Sequence, residues 1–176
     1  MASLSSSCNV GKRIHLLALP YPGRGHINPM LNLCKSLLAR LPNLTITFIL
    51  TEEWLGFLRS DPEPPPGIRY LTIPNVIPSE RVRSRDMRSF LSAVMTEMEG
   101  PCEEVINQME QPVDVIIADC FLVWAVEVGR RRGIPVSLLW TMSATTFAMF
   151  HHFDLLKKHG HFPIDLQAMA DVRVDY

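Results

Sequence analysis

Five short apolar runs, each followed by sequence of helical character, set the strongest constraint on how this chain can fold. These runs lie at 13–20, 44–50, 68–74, 113–120 and 134–140. They are rich in β-branched residues or apolar on both faces, as strands buried within a parallel sheet are. Strands that alternate with helices in this way predict a doubly wound α/β fold with a mostly parallel sheet and right-handed crossovers.

The segments between these runs carry recognisable helix signals. Asn28 is a suitable N-cap and Pro29 fits the first helical position, and an apolar stripe follows them. Helical sequence is also expected at 86–110, broken by Gly100–Pro101. A single helix is predicted over 143–160, closed by its final glycine.

Charge and hydropathy narrow the possible partners and the cellular location. The 176 residues include 17 Lys and Arg against 18 Asp and Glu, a formal net charge of −1. A polyanion such as nucleic acid is therefore not an expected partner. The most apolar stretch, 134–150, falls short of the about 20 apolar residues that a membrane-spanning helix needs. The first 13 residues lack the apolar region of a secretory signal. We therefore expect a reduced, soluble, cytoplasmic protein with no membrane span.

Three clusters of reactive or charged residues favour structural interpretations. The arginines Arg81, Arg83, Arg85 and Arg88 are interrupted by acidic residues, which favours a solvated face over a phosphate-binding patch. The four cysteines form no C-x-x-C pair, so neither a disulfide framework nor a zinc site is expected. The histidines His151, His152, His159 and His161 have no carboxylate or thiolate set at ligand spacing, which favours a surface helix end.

The segment YPGRGHINPM (21–30) follows the first predicted strand and allows three interpretations: a phosphate cradle, a catalytic loop or a tight turn. As a dinucleotide fingerprint it would use Glu52 or Glu53 as the acid that binds the ribose, but Asn28 stands where the third glycine should be. NAD(P) binding is therefore the weaker alternative. The sequence contains neither a G-x-S-x-G elbow nor a P-loop, which argues against a hydrolase or a P-loop enzyme.

His26 and Asp119 are the strongest catalytic candidates that the residues alone provide. In the common doubly wound strand order 3-2-1-4-5, the first and fourth strands are neighbours, and ligands bind at their carboxyl ends. His26 follows the first strand and Asp119 ends the fourth, so this topology predicts that they meet. A helix N-terminus beside the histidine favours neutral imidazole, and a partner carboxylate fixes its tautomer. The pair predicts a general base for a hydroxyl. A turn histidine and a helix-capping aspartate are the structural alternatives.

Three segments, HLLALPYPGRGHINPMLNLCKSL, DVIIADCF and GIPVSLLWTMSATTF, resemble the N-terminal half of plant UDP-glycosyltransferases (glycosyltransferase family 1). That family acts on small molecules and has the two-domain GT-B fold. The resemblance extends from Arg13 onward, which leaves 1–12 as a flexible polar tail. It implies that 13–176 is an incomplete, Rossmann-like N-terminal domain that binds the acceptor. The His-Cys-Gly-Trp-Asn-Ser core of the family's C-terminal UDP-sugar-binding domain does not occur in this sequence.

The resemblance also implies roles for particular residues. His26 matches the family's catalytic base and Asp119 the aspartate that pairs with it. Together they would activate a hydroxyl of a small-molecule acceptor for inverting attack on a UDP-sugar, with glucose as the expected sugar. Thr141 and Gly25 match positions on the donor side. Four aromatic residues are candidate walls of the acceptor pocket, with core packing as their alternative role: Tyr21, Phe121, Trp124 and Trp140. The UDP-sugar is a co-substrate, and the resemblance implies no metal ion and no other cofactor.

The missing donor motif leaves alternatives to an active half-enzyme. One is a truncated product that binds acceptors without transferring sugar, and the other is the NAD(P)-binding module considered above. As a glycosyltransferase half, the isolated chain is expected to be inactive without a donor-binding domain, whereas an NAD(P)-binding module is expected to bind that cofactor.

Overall fold

The computed structural model describes residues 13–58 and 64–163, which include a five-stranded, fully parallel sheet. The strands are β1 (Ile14–Leu19), β2 (Leu44–Thr51), β3 (Ile68–Ile73), β4 (Val115–Asp119) and β5 (Val136–Leu139). Their order across the sheet is β3-β2-β1-β4-β5, which confirms the predicted doubly wound topology.

Helices connect the strands. They are α1 (Arg24–Arg40), α2 (Glu52–Leu58), a 3-10 helix (Glu80–Arg85), α3 (Met87–Thr96), α4 (Glu99–Asn107), α5 (Trp124–Arg132), α6 (Ala144–His151) and α7 (Phe153–Lys158). The described residues up to Thr141 form one compact unit, and those from Met142 onward form another, which holds α6 and α7. None of these helices is both long enough and apolar enough to cross a membrane. The predicted polar tail at 1–12 lies outside the described residues.

Strand β1 lies at the centre of the sheet and is buried on both faces. Leu17 and Leu19 point into an apolar cluster formed with α3, α4 and α5. Leu16 and Ala18 point to the other side, into a cluster formed with α1 and β2. Because both faces are packed, the carboxyl end of β1 is held firmly, and the turn that follows starts from a fixed position.

Helix α1 begins earlier than the predicted N-cap at Asn28. Gly23 is the N-cap, in extended conformation, and its carbonyl accepts hydrogen bonds from the N–H groups of His26 (3.0 Å) and Ile27 (2.9 Å). No side chain caps this end, so the side-chain preference that pointed to Asn28 did not apply. Pro29 lies inside the helix and costs it one backbone hydrogen bond. His26 is therefore in the first turn of α1 and not in the loop before it.

Two other boundaries differ from the sequence prediction, and one agrees with it. The break between α3 and α4 falls before Gly100–Pro101, since proline is tolerated in the first turn of α4, where its N–H is not needed. The single helix predicted over 143–160 is interrupted at His152 (φ −105°, ψ 19°). Helix α5 ends as predicted, at Gly133 in left-handed conformation (φ 65°).

Candidate active site

The candidate site lies where the carboxyl ends of β1 and β4 meet. Leu19 of β1 is paired in register with Ala118 of β4, so Asp119 ends its strand beside the last residue of β1. The chain then passes through a short turn into α1, whose first turn carries His26. The strand order thus brings His26 and Asp119 together, as the topology predicted.

His26 and Asp119 are directly hydrogen bonded. Nδ1 of the imidazole lies 2.7 Å from Oδ2 of the carboxylate. Asp119 is fully buried, whereas the His26 side chain is 20% exposed. Because a carboxylate accepts hydrogen bonds, this contact places the imidazole proton on Nδ1 and leaves a lone pair on Nε2. The hydrogen bonds that described residues make to this ring all go to Nδ1. Nε2 is thus in the state of a base ready to accept a proton.

The loop after β4 holds the Asp119 carboxylate in place. Oδ1 accepts a hydrogen bond from the backbone N–H of Phe121 at 3.1 Å, and the Cys120 thiol is a weaker neighbour at 3.8 Å. The backbone carbonyl of Asp119 accepts from the N–H of Leu122 at 2.9 Å, which closes a tight turn. A buried charge is stable only with partners of this kind. The carboxylate is therefore oriented before any substrate arrives.

Thr141 is a third member of this group. Its Oγ1 lies 2.8 Å from Nδ1 of His26. The pairing of Asp119 with Leu139 of β5 brings this hydroxyl to the histidine from the next strand. In this structure the threonine contacts the base itself, so that it helps to set the orientation of the ring.

Two of the four predicted acceptor-wall residues surround the base. The ring of Tyr21 lies 4.7 Å from the His26 ring and that of Phe121 lies 5.8 Å from it, centroid to centroid. Burial raises the pKa of the Tyr21 phenol, and the positive charge of Arg83 acts in the opposite direction. Tyr21 is 6% exposed and belongs to the core, whereas Phe121 is half-buried. Both rings give the base an aromatic, partly desolvated surrounding, and the Phe121 ring is the one of the two that an apolar acceptor could contact.

The other predicted site residues have different positions. Trp124 is 5% exposed within the core, and its indole N–H donates to the carbonyl of Val94 at 3.1 Å. The structure does not bring it to the base. Trp140 is half-buried and directly precedes Thr141. Gly25 is the second residue of α1, and the position that a Cβ would take there has no neighbouring atom within 4 Å.

Sequence reasoning missed two residues at this site, Gly23 and Arg83. A Cβ on Gly23 would lie 3.3 Å from Nη1 of Arg83 and 3.6 Å from Cδ2 of His26. The arginine cluster was visible in the sequence, but only as a charged face. Arg81, Arg85 and Arg88 are indeed exposed, whereas Arg83 is half-buried beside the base.

His15 lies in β1, away from the carboxyl end of the sheet, and has a structural role. The ring is buried, and Nε2 is 2.8 Å from Oγ1 of Thr47. Nδ1 lies 3.2 Å from the carbonyl oxygen of Gln111 and 3.1 Å from that of Pro112. Across residues 13–58 and 64–163, no group of three His, Cys, Asp or Glu side chains is arranged to hold a metal ion.

Comparison with known proteins supports a common origin with one group of enzymes, although no family model matches the chain. UDP-glycosyltransferase 87A1 of Arabidopsis thaliana is 54% identical over 159 residues, which are 90% of this chain and 36% of that protein. UDP-glycosyltransferase 87A2 of the same plant is 55% identical over 84% of this chain and 32% of its own length. The chain thus spans about a third of the length of the curated relatives it matches.

Solved structures agree with these relatives. A UDP-glucose:anthocyanidin 3-O-glucosyltransferase in complex with UDP superposes with a TM-score of 0.70 at 25% identity, over 87% of this chain and 35% of that one. UGT71G1 of Medicago truncatula, complexed with UDP-glucose, shares the fold with a TM-score of 0.65 at 21% identity, over 83% of this chain and 33% of that one. In sequence and in fold, the chain therefore corresponds to the N-terminal third of the plant UDP-glycosyltransferases with the GT-B fold.

Proposed function

We propose that this chain supplies the acceptor-binding and proton-abstracting half of a UDP-sugar-dependent glycosyltransferase. The enzyme transfers a sugar, glucose in our proposal, to a hydroxyl of a small molecule with inversion. The observation that carries the proposal is the 2.7 Å contact between His26 and Asp119, which leaves Nε2 able to accept a proton. The names of the relatives and the UDP and UDP-glucose in two similar structures support a UDP-sugar donor.

In the proposed mechanism, Nε2 of His26 takes the proton of the acceptor hydroxyl as its oxygen attacks the anomeric carbon of the sugar. The bond from that carbon to the UDP oxygen breaks on the opposite face, which inverts the configuration, and UDP leaves with the bonding electrons. The Asp119 carboxylate stabilises the imidazolium that forms. A positioned base of this type contributes a rate factor of about 10²–10⁴.

The remaining site residues divide between the two substrates. The half-buried ring of Phe121 forms an aromatic wall for the acceptor beside the base, and Tyr21, 6% exposed, packs behind it. Thr141 and the open space at Gly25 face the donor, and Thr141 also orients the imidazole. Trp124 is left out of the pocket because its ring is buried and its N–H is already bonded. No metal ion or other cofactor has a step in this mechanism, and the cytoplasmic location stays a prediction from the sequence.

The test joins this chain to the donor-binding C-terminal part of UDP-glycosyltransferase 87A1 and measures glucose transfer from UDP-glucose to a panel of hydroxylated small molecules. Transfer is expected from the joined protein and not from the 176-residue chain alone. His26→Ala is expected to reduce the transfer rate by at least about 10². His151→Ala, which removes an exposed histidine, is the matched control and should keep full activity. Full activity of His26→Ala would contradict the proposal.

A further inference from the structure

Arg83 lies beside the proposed base and has no role in the mechanism above. Its side chain is only 30% exposed, whereas the side chains of Arg81 and Arg85 in the same 3-10 helix are exposed to solvent. Nη1 of Arg83 lies 3.3 Å from the position that a Cβ would take on Gly23, and Cδ2 of His26 lies 3.6 Å from that same point. Because Cδ2 is bonded to Nε2, the guanidinium and the basic edge of the imidazole both lie next to Gly23.

Arg83 is held in place by an ion pair and by a ring contact. Nη1 is 3.0 Å from Oε2 of Glu80, and the guanidinium lies over the ring of Phe90, 5.4 Å from its centroid. Nη1 is therefore already engaged by a carboxylate. A guanidinium carries five N–H donors, so an ion pair through Nη1 leaves donors on the other nitrogens for a ligand.

Three acidic groups lie near Arg83, and each already has a partner. Glu53 is bonded through one carboxylate oxygen to the Ser79 hydroxyl and through the other, at 2.9 Å, to the backbone N–H of Glu80. Oε2 of Glu80 is buried and pairs with Nη1 of Arg83 at 3.0 Å. Asp119 is fully buried and bonded to His26. The charge of Arg83 is therefore shared with Glu80, and its remaining N–H groups are the donors that a substrate carboxylate would bond.

We propose that Arg83 recognises a carboxylate on the acceptor, so that the favoured acceptors are compact hydroxy acids whose hydroxyl reaches His26 while their carboxylate reaches the guanidinium. This inference rests on the proposed function and specifies its acceptor class. The planar guanidinium fork matches the two oxygens of a carboxylate. The half-buried ring of Phe121, packed 5.7 Å from the buried Tyr21 ring, offers an apolar surface for the aromatic ring between the two groups. The short reach favours acids that carry both groups on one ring.

The test measures binding to the full 176-residue chain by titration calorimetry at neutral pH, with matched pairs: 2-, 3- and 4-hydroxybenzoate and their methyl esters. At least one acid is expected to bind about tenfold more tightly than its ester, the effect of a hydrogen-bonded charge. Arg83→Gln should abolish this preference, and Arg83→Lys should keep part of it. Arg81→Gln removes the same charge from an exposed position of the same helix and should leave the preference unchanged.

A second variant tests the inference in the opposite direction. Glu80→Gln removes the carboxylate that competes for Arg83, so the preference for the acid should increase. The inference is overturned if no acid binds better than its ester, or if the preference survives Arg83→Gln in a chain whose circular dichroism is unchanged.

Sugar transfer by the protein joined to a donor-binding domain separates this inference from the proposed function. If the joined protein transfers glucose to phenols without any preference for acids, the result supports the proposed function and contradicts the role of Arg83. If the chain binds acids through Arg83 but the joined protein transfers no sugar, the result supports the carboxylate site and contradicts the proposed function.

Discussion

Nδ1 of His26 lies 2.7 Å from Oδ2 of Asp119, although 93 positions separate the two residues in the sequence. The contact exists because β1 and β4 are adjacent and parallel, so that their carboxyl ends lie at the same edge of the sheet. One residue comes from the helix that follows β1 and the other from the last position of β4. The pair is therefore a product of strand order and not of any local motif.

Asp119→Asn tests whether this contact serves catalysis. The amide is nearly the same size as the carboxylate but carries no charge to stabilise the imidazolium, and it can force the wrong tautomer on His26. In the protein joined to a donor-binding domain, we expect kcat to fall by about 10² or more. Asp154→Asn, an exposed aspartate in α7, is the control. Equal kcat values for the two variants would contradict the assigned role.

Gly23→Ala tests the crowding beside the base. The new Cβ would lie 3.3 Å from Nη1 of Arg83, and alanine is a poorer N-cap than glycine. We expect the chain to lose about 1 kcal/mol of unfolding free energy and to lose part of its preference for hydroxy acids. The free energy is measured by urea denaturation. Gly25→Ala provides the comparison, because its Cβ would meet no atom within 4 Å. If the two variants were equally stable, the crowding argument would be wrong.

Gly129→Ala tests the packing of α5 against β5. A Cβ there would overlap Cγ2 of Val136 and would lie 2.7 Å from the carbonyl oxygen of Ile134, so the helix would have to move away from the strand. We expect a loss of about 1–3 kcal/mol of unfolding free energy. Gly100→Ala in α4 is the matched control, because a Cβ there would meet no atom within 4 Å. Its unfolding free energy should rise by up to about 1 kcal/mol from helix propensity. An unchanged unfolding free energy in Gly129→Ala would contradict the close packing of α5 against β5.

The buried cysteines predict how stability depends on pH. Burial raises the pKa of the Cys34 and Cys102 thiols from 9.0 to about 12. Between these values the unfolded chain releases thiol protons that the folded chain retains, so the unfolding free energy falls as pH rises above 9. We expect Cys102→Ala to reduce this fall and also to lower stability at neutral pH, where the thiol only fills space. The measurement is urea denaturation from pH 7 to 10. A pH slope that is the same in Cys102→Ala would contradict the assignment.

The sequence was sufficient for features that depend on repeated local patterns. Apolar runs and helix signals predicted the five strands. The common doubly wound strand order, taken for these strands, then predicted the contact between His26 and Asp119 through the switch-point rule. Gly133 was predicted as a C-cap because a left-handed residue after a cationic helix end has a clear local signature.

Features that depend on tertiary contacts were missed or misplaced. The start of α1 was predicted at the best side-chain cap, Asn28, but the helix begins earlier, with Gly23 as its N-cap and without any side-chain cap. Arg83 had the same sequence character as the arginines around it, and its partial burial, its pairing with Glu80 and its place over Phe90 appear only in the structure. The core position of Trp124 likewise depends on the carbonyl of Val94, 30 positions earlier in the sequence.

The strand order also has a consequence for the growing polypeptide. β1 can pair with β2 soon after both leave the ribosome. Its other edge pairs with β4, as Leu19 does with Ala118, and β4 is synthesised only about a hundred residues after β1 begins. During that interval the most apolar strand of the sheet offers unsatisfied backbone donors and acceptors to any other nascent strand. Aggregation during synthesis should therefore be governed by the arrival of Val115–Asp119, so that ribosome pausing ahead of this segment lowers the yield of folded protein.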